Sequence, residues 1–275
     1  MIHMQNDARG AFHSCFMSRK LSSLRVTILA TCIVSIQSVS VVNAQTIELG
    51  DIAPFEVVYD VGNHLINAGT AQLSLTQEDE LWTYSLNTKP RGILKLAGKG
   101  KITETSTIRL PEENGKLLIQ PQTYIYRQDD ERRRAVDATF DWDNNSITHL
   151  YRGKESTDTF DTPVIDRLSA TLLIMNALRQ NFESMELQVF DTGRVKSVTF
   201  TNTGTEILET PLGQIHTLRV TNRSTTGGSR ETTTWFAPEL DYVPVRIEQR
   251  KRGELVARLT LKRLKNRVSD IEVED

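Results

Sequence analysis

The clearest alternation of apolar and polar residues lies near the end of the chain. Val243, Val245 and Ile247 alternate with Pro244, Arg246 and Glu248, and Leu255, Ala257, Leu259 and Leu261 alternate with Val256, Arg258, Thr260 and Lys262. A period of two marks a strand with one buried face. A two-residue turn at Arg252-Gly253 would set Val245 against Thr260 and Ile247 against Arg258, mixing the faces. A three-residue loop over 251–253 instead sets Val245 against Leu259 and Ile247 against Ala257, with Gly253 supplying a left-handed backbone. That register is the one predicted. The opposite face, with Arg246, Glu248, Arg250, Glu254, Arg258 and Lys262, reads as a solvated outer face.

The same period recurs along most of the chain. It predicts strands over 55–59, 71–76, 81–88, 102–110, 117–127, 135–142, 147–152, 186–190, 195–202, 205–209 and 214–222, separated by turn-forming runs such as Asp143-Asn144-Asn145 and Pro211-Leu212-Gly213. One segment departs from it. Leu168, Leu172, Met175 and Leu178 lie four, three and three residues apart behind Asp166, which predicts a capped helix over 166–181 with one apolar face. Roughly a dozen strands are too many for a flat sheet. The expected fold is therefore mainly β, a strongly curved antiparallel sheet or partly closed β-barrel of about twelve strands, with the helix capping an end or filling the concave side.

Composition changes the picture at the N-terminus. Arg19, Lys20 and Arg25 precede an apolar run over 26–36, and Val42-Asn43-Ala44 offers small residues for cleavage before Gln45, so residues 1–44 read as a secretory signal peptide with an extended leader. Both cysteines, Cys15 and Cys32, fall within it, leaving a mature chain without disulfide or thiol chemistry. Loss of Arg9, Arg19, Lys20, Arg25 and Asp7 moves the formal net charge from −2 to −5, a mild acidity that argues against a nucleic-acid partner. A single β-rich domain is expected over 45–266, followed by a disordered acidic tail over 267–275. A periplasmic location is the simplest compartment, and no transmembrane segment is expected in the mature chain.

Candidate chemistry is sparse. The mature histidines His64, His149 and His216 stand far apart, and no catalytic elbow, zinc motif or phosphate loop is present. No catalytic residue, metal or cofactor is predicted, and the chain is read as a non-enzyme. The connection over 89–101 is the exception, because Lys89, Arg91, Lys95, Lys99 and Lys101 surround Ile93, Leu94 and Leu96 without an acid. This mixture suits contact with a membrane surface or a partner. The block Asp129-Asp130-Glu131-Arg132-Arg133-Arg134 pairs opposite signs locally and reads as a solvated tip. Trp235, flanked by threonines and Phe236-Ala237-Pro238, reads as a buried anchor.

Phe55-x-x-x-Tyr59, Gly69, Pro121-x-x-Tyr124 with Arg127, Asp166-x-x-Ser169, Pro211-Leu212-Gly213, Trp235-Phe236-x-Pro238 and the run from Asp241 to Glu248 occur in that order. This ordered set resembles the exported bacterial family named domain of unknown function 3108, over nearly all of residues 54–264. The resemblance implies a periplasmic β-rich protein of Gram-negative bacteria with no established activity and no catalytic residues to carry over. Two roles follow. The first is a structural or protein-interaction module of the cell envelope. The second is a binding module that holds a lipid or other hydrophobic envelope molecule on the concave face of the sheet.

Overall fold

A computed structural model describes residues 52–63, 66–96, 100–113, 116–266 and 270–272. In chain order the elements are β1 (Phe55–Gly62), β2 (Asn67–Glu78), β3 (Leu81–Pro90), α1 (Gly92–Leu96), β4 (Ile102–Arg109), β5 (Glu112–Glu113), β6 (Lys116–Leu117) and β7 (Gln120–Gln128). Next come β8 (Val136–Asp141), β9 (Ser146–Tyr151), β10 (Lys154–Thr159), β11 (Val164–Asp166) and α2 (Arg167–Arg179). The chain closes with β12 (Ser184–Phe190), β13 (Val195–Thr210), β14 (Gly213–Ser224), β15 (Arg230–Ala237), β16 (Val243–Lys251), β17 (Glu254–Lys265) and β18 (Asp270–Glu272).

All strands except the small β5–β6 hairpin join one sheet of 16 strands, in the order β10-β9-β8-β7-β4-β3-β2-β1-β17-β16-β15-β14-β13-β12-β11, with β18 against β17. Neighbours are antiparallel except β11 and β12. The mainly β class with one long helix stands as expected. The strand number does not, and the hydrogen-bonded path stays open. β10, Lys-Glu-Ser-Thr-Asp-Thr, is a polar and mostly exposed edge strand, so it has no buried face to impose an alternation. β11 and β18 have 3 residues each, too few to show a period. β13 is one strand of 16 residues where two were expected, with its register shifted between Asn202 and Thr205. β18 pairs with Arg263–Lys265, inside the stretch expected to be a frayed tail.

The closing hairpin corrects the predicted register. Ile247, not Val245, faces Leu259, and the turn has two residues, Arg252 and Gly253, both at positive φ (54° and 83°). Such a turn matches the twist of its strands. A bulge between Gln249 and Arg250 then shifts the register by one residue and brings the apolar residues back into line, an option that alternation alone does not reveal. The supposed solvent face is also partly enclosed: Glu248 is buried and ion-paired with Arg250 (2.9 Å) and Arg258 (2.6 Å).

The core lies on the concave side. Leu168, Ser169, Ala170 and Leu172 to Leu178 of α2 are all buried, so the helix is enclosed on every side rather than on one apolar face. It shares one apolar cluster with Val57, Tyr59, Leu73, Tyr84, Phe200 and Leu261 from strands across the sheet. The two ends of the strand path meet without a ladder. Phe190 of β12 packs edge-on against Tyr124 of β7 and Phe140 of β8, at centroid distances of 6.1 and 6.0 Å, and lies 5.2 Å from His149 of β9. Side chains close this seam in place of backbone hydrogen bonds.

Candidate functional site

Glu104 occupies an inward position of β4 between Ile102, Ser106 and Ile108, and only 1% of it is exposed. A buried carboxylate needs compensation. Glu104 Oε1 accepts from Tyr124 Oη (2.8 Å) and from Arg167 Nε (2.9 Å), and Arg167 Nη2 binds Oε2. Arg167 keeps 42% of its side chain exposed, so the pair bridges core and solvent. Beside it, Asp166 Oδ1 accepts from Leu168 N (2.8 Å) and Ser169 N (3.0 Å), capping α2 as expected. Its Oδ2 accepts from Ser106 Oγ (2.6 Å) and Ser169 Oγ (2.5 Å).

Burial pushes the Asp166 carboxyl above its ordinary value, against the pull of those hydrogen bonds. It also pushes up the Tyr124 hydroxyl, which Glu104 raises further. Asp191 behaves oppositely: burial opposes its charge, but Arg167 and Lys196 hold its carboxyl below the usual range. Every carboxylate oxygen of Glu104 and Asp166 is engaged in docking the start of α2 on β4 and β7. The arrangement positions the helix and offers no free base beside a nucleophile. The Asp166-x-x-Ser169 cap was legible beforehand. Glu104 was missed, although a charged residue at an inward position of a period-two strand was the available signal.

The basic residues singled out from the sequence gather at one end of the sheet. Lys89 near the end of β3, Arg91, Lys95 of α1 and Lys101 are all exposed, while Lys99 lies outside the described residues. The Arg91 amide donates to Ala68 O (2.9 Å), which anchors α1 beside β2. Leu96, at the end of α1, is 89% exposed. Between β1, β17 and the turn into β2, an open recess of about 410 Å³ is lined by Asp60, Asn63, Ile66, Asn67, Arg258 and Thr260. Trp235, the expected anchor, is buried, donates from Nε1 to Glu206 Oε2 (2.9 Å) and has the Arg246 guanidinium 5.9 Å from its ring. His149 is buried at the seam, with Nδ1 3.7 Å from Asp158, and His216 is exposed. His64 lies outside the described residues. Among the described residues no helix is long and apolar enough to cross a membrane.

An open, barrel-like sheet wrapped around one helix defines the class of protein. A solved β-barrel-like protein of domain of unknown function DUF1849 from Brucella abortus has this fold, with a TM-score of 0.55 at 10% identity over 80% of this chain and 100% of its own. The chain belongs to the family described as protein of unknown function DUF3108, whose model matches residues 55–260. A Bacteroides fragilis protein described as exported, with a YmcC-like fold, aligns over 80% of this chain and 99% of its own at 11% identity, with a TM-score of 0.30. No curated protein matches.

Proposed function

We propose that this is an exported, non-catalytic protein of the bacterial cell envelope that works through its outer surface as a structural or protein-interaction module. The observation that carries the reading is the burial of α2 on every side: Leu168, Leu172, Ile174, Met175 and Leu178 take up the concave side of the sheet, where a carrier would need a cavity of several hundred Å³. The polar groups gathered there are spent on holding the helix. Export is supported by the basic, apolar and small-residue succession over residues 1–44, and the periplasm is the compartment it suits.

Native mass spectrometry of the protein purified from its own cells tests cargo and export together. The expected species is a chain beginning at Gln45 with no bound lipid. A stoichiometric lipid adduct would replace this reading with the carrier, and a chain retaining residues 1–44 would replace the cleaved signal peptide with an uncleaved leader. Crosslinking in those cells is expected to trap a defined protein neighbour.

A further inference from the structure

The antiparallel topology sorts the connections into two sets at opposite ends of the strands. One end carries residues 63, 66, 91–96, 100–101, 129–135, 152–153, 191–194, 225–229 and 252–253. Among the described residues of that set are Arg91, Lys95, Lys101, Arg152, Arg194, Arg252 and the run over 132–134. Bases outnumber the acids, which are Asp129, Asp130, Glu131 and Asp191, and Asp191 is already paired with Lys196 (2.5 Å). The other end carries residues 79–80, 110–113, 116–119, 142–145, 160–163, 180–183, 211–212 and 238–242. There, every charged residue among those described except Lys116 is acidic, as with Asp79, Glu80, Asp143, Asp161 and Glu239.

The sheet is thus electrically polar along its strands although the whole chain carries a net charge of only −2. The basic end also bears the most exposed large apolar side chain among the described residues, Leu96 at 89%, with Ile66 at 39% on the neighbouring turn. A solvated rim has no need of a bare leucine at the tip of a basic turn. Positive charge around protruding apolar side chains is the chemistry that meets an anionic bilayer, where bases sit among the headgroups and apolar tips enter the boundary.

We propose that the basic end docks on an anionic phospholipid surface, with the acidic end directed away from it by the same field. This rests on the reading of the chain as an envelope protein acting through its surface, and it names the surface met by one end. Arg91, Lys95, Lys101 and Leu96 make the contact. Lys89, exposed near the end of β3, lies beside them.

Co-sedimentation of the protein purified from its own cells with phosphatidylcholine vesicles, with and without added phosphatidylglycerol, is the test. Binding is expected only with phosphatidylglycerol and is expected to fade as salt shortens the reach of the charges. The pair Arg91→Glu and Lys95→Glu lowers the partition coefficient by about thirtyfold or more, at roughly fivefold for each charge taken off the surface. Glu80→Gln with Glu239→Gln, at the far end, leaves it unchanged, and thermal melting verifies that each variant is folded. Equal binding to both vesicles, no binding to either, or full binding by the Arg91/Lys95 variant would each overturn the assignment. So would salt-sensitive self-association without vesicle binding, which gives the basic end to the acidic end of a second copy. A defined protein crosslink in cells alongside a negative vesicle result leaves the module reading standing and removes only the lipid contact.

Discussion

The sheet is closed around its helix by two junctions of different construction. At one, β1 and β17 run side by side in a ladder from Glu56↔Lys265 to Gly62↔Arg258, so the start and end of the domain are tied residue by residue. At the other, β7 to β9 meet β12 through the rings of Tyr124, Phe140, His149 and Phe190. A ladder satisfies backbone groups and sets register, whereas ring packing only excludes water. The ladder is therefore the rigid side of the molecule. The seam is the side expected to open first.

Removing Phe190 strikes the seam hardest. Phe190→Ala is expected to cost about 3–5 kcal/mol, read from the shift in denaturant midpoint. Trp235→Ala is expected to cost a similar amount, about 3–5 kcal/mol, but far from the seam, with the loss falling on the Glu206 contact and the covering Arg246. Equal effects of both variants on local opening at β8 to β10 would contradict the distinction between the junctions.

The Asp166 cap, which seats α2 near the seam, ranks next. Asp166→Ala is expected to cost about 2 kcal/mol, since it strips the cap from Leu168 and Ser169 and leaves the buried hydroxyls of Ser106 and Ser169, 3.1 Å apart, with only each other as partners. Asp166→Asn keeps an acceptor and is expected to cost less than about 1 kcal/mol. The two differ in pH dependence from the wild type in the same sense. Because burial raises the Asp166 carboxyl in the folded state, the folded protein holds that proton more tightly than the unfolded chain. Its contribution to stability therefore falls as pH rises from the unfolded value near about 4 through the raised folded value, and is flat above it. Denaturant titrations across that window are expected to lose this fall in Asp166→Asn.

Gly193→Ala is the mildest probe. Gly193 has φ +72°, and a Cβ there would lie 2.7 Å from Tyr151 Cδ1, across the seam. Strain and crowding together are expected to cost about 1–2 kcal/mol. A neutral effect in thermal melts would show that the seam gives way freely at this point.

The ladder side was largely legible in advance. Phe55, Val57, Tyr59, Ala71, Leu73 and Leu75 are buried at alternating positions, and α2 announced itself through Asp166, Ser169 and the spacing of its leucines. The bulge at Gln249 was hidden, because it restores an apolar face that a simple turn would break. The seam side was less legible for two physical reasons. β10 is polar on an open edge, so burial leaves no trace in its residues. Phe190 meets Tyr124, Phe140 and His149 only after the sheet has curled, a contact no local period encodes. The basic connection over 89–101 was recognisable on its own, but its opposition to an acidic far end emerges only once strand order sorts the turns.

Hydrogen exchange followed by mass spectrometry tests the central distinction most directly. Peptides from β1 and β17 are expected to exchange slowest, those from β8 to β10 markedly faster, and Phe190→Ala is expected to accelerate the latter group by the larger factor. Uniform protection across the sheet, or acceleration of β1 and β17 by the same factor as β8 to β10 in the variant, would show that the sheet opens as one unit and would contradict a side-chain seam.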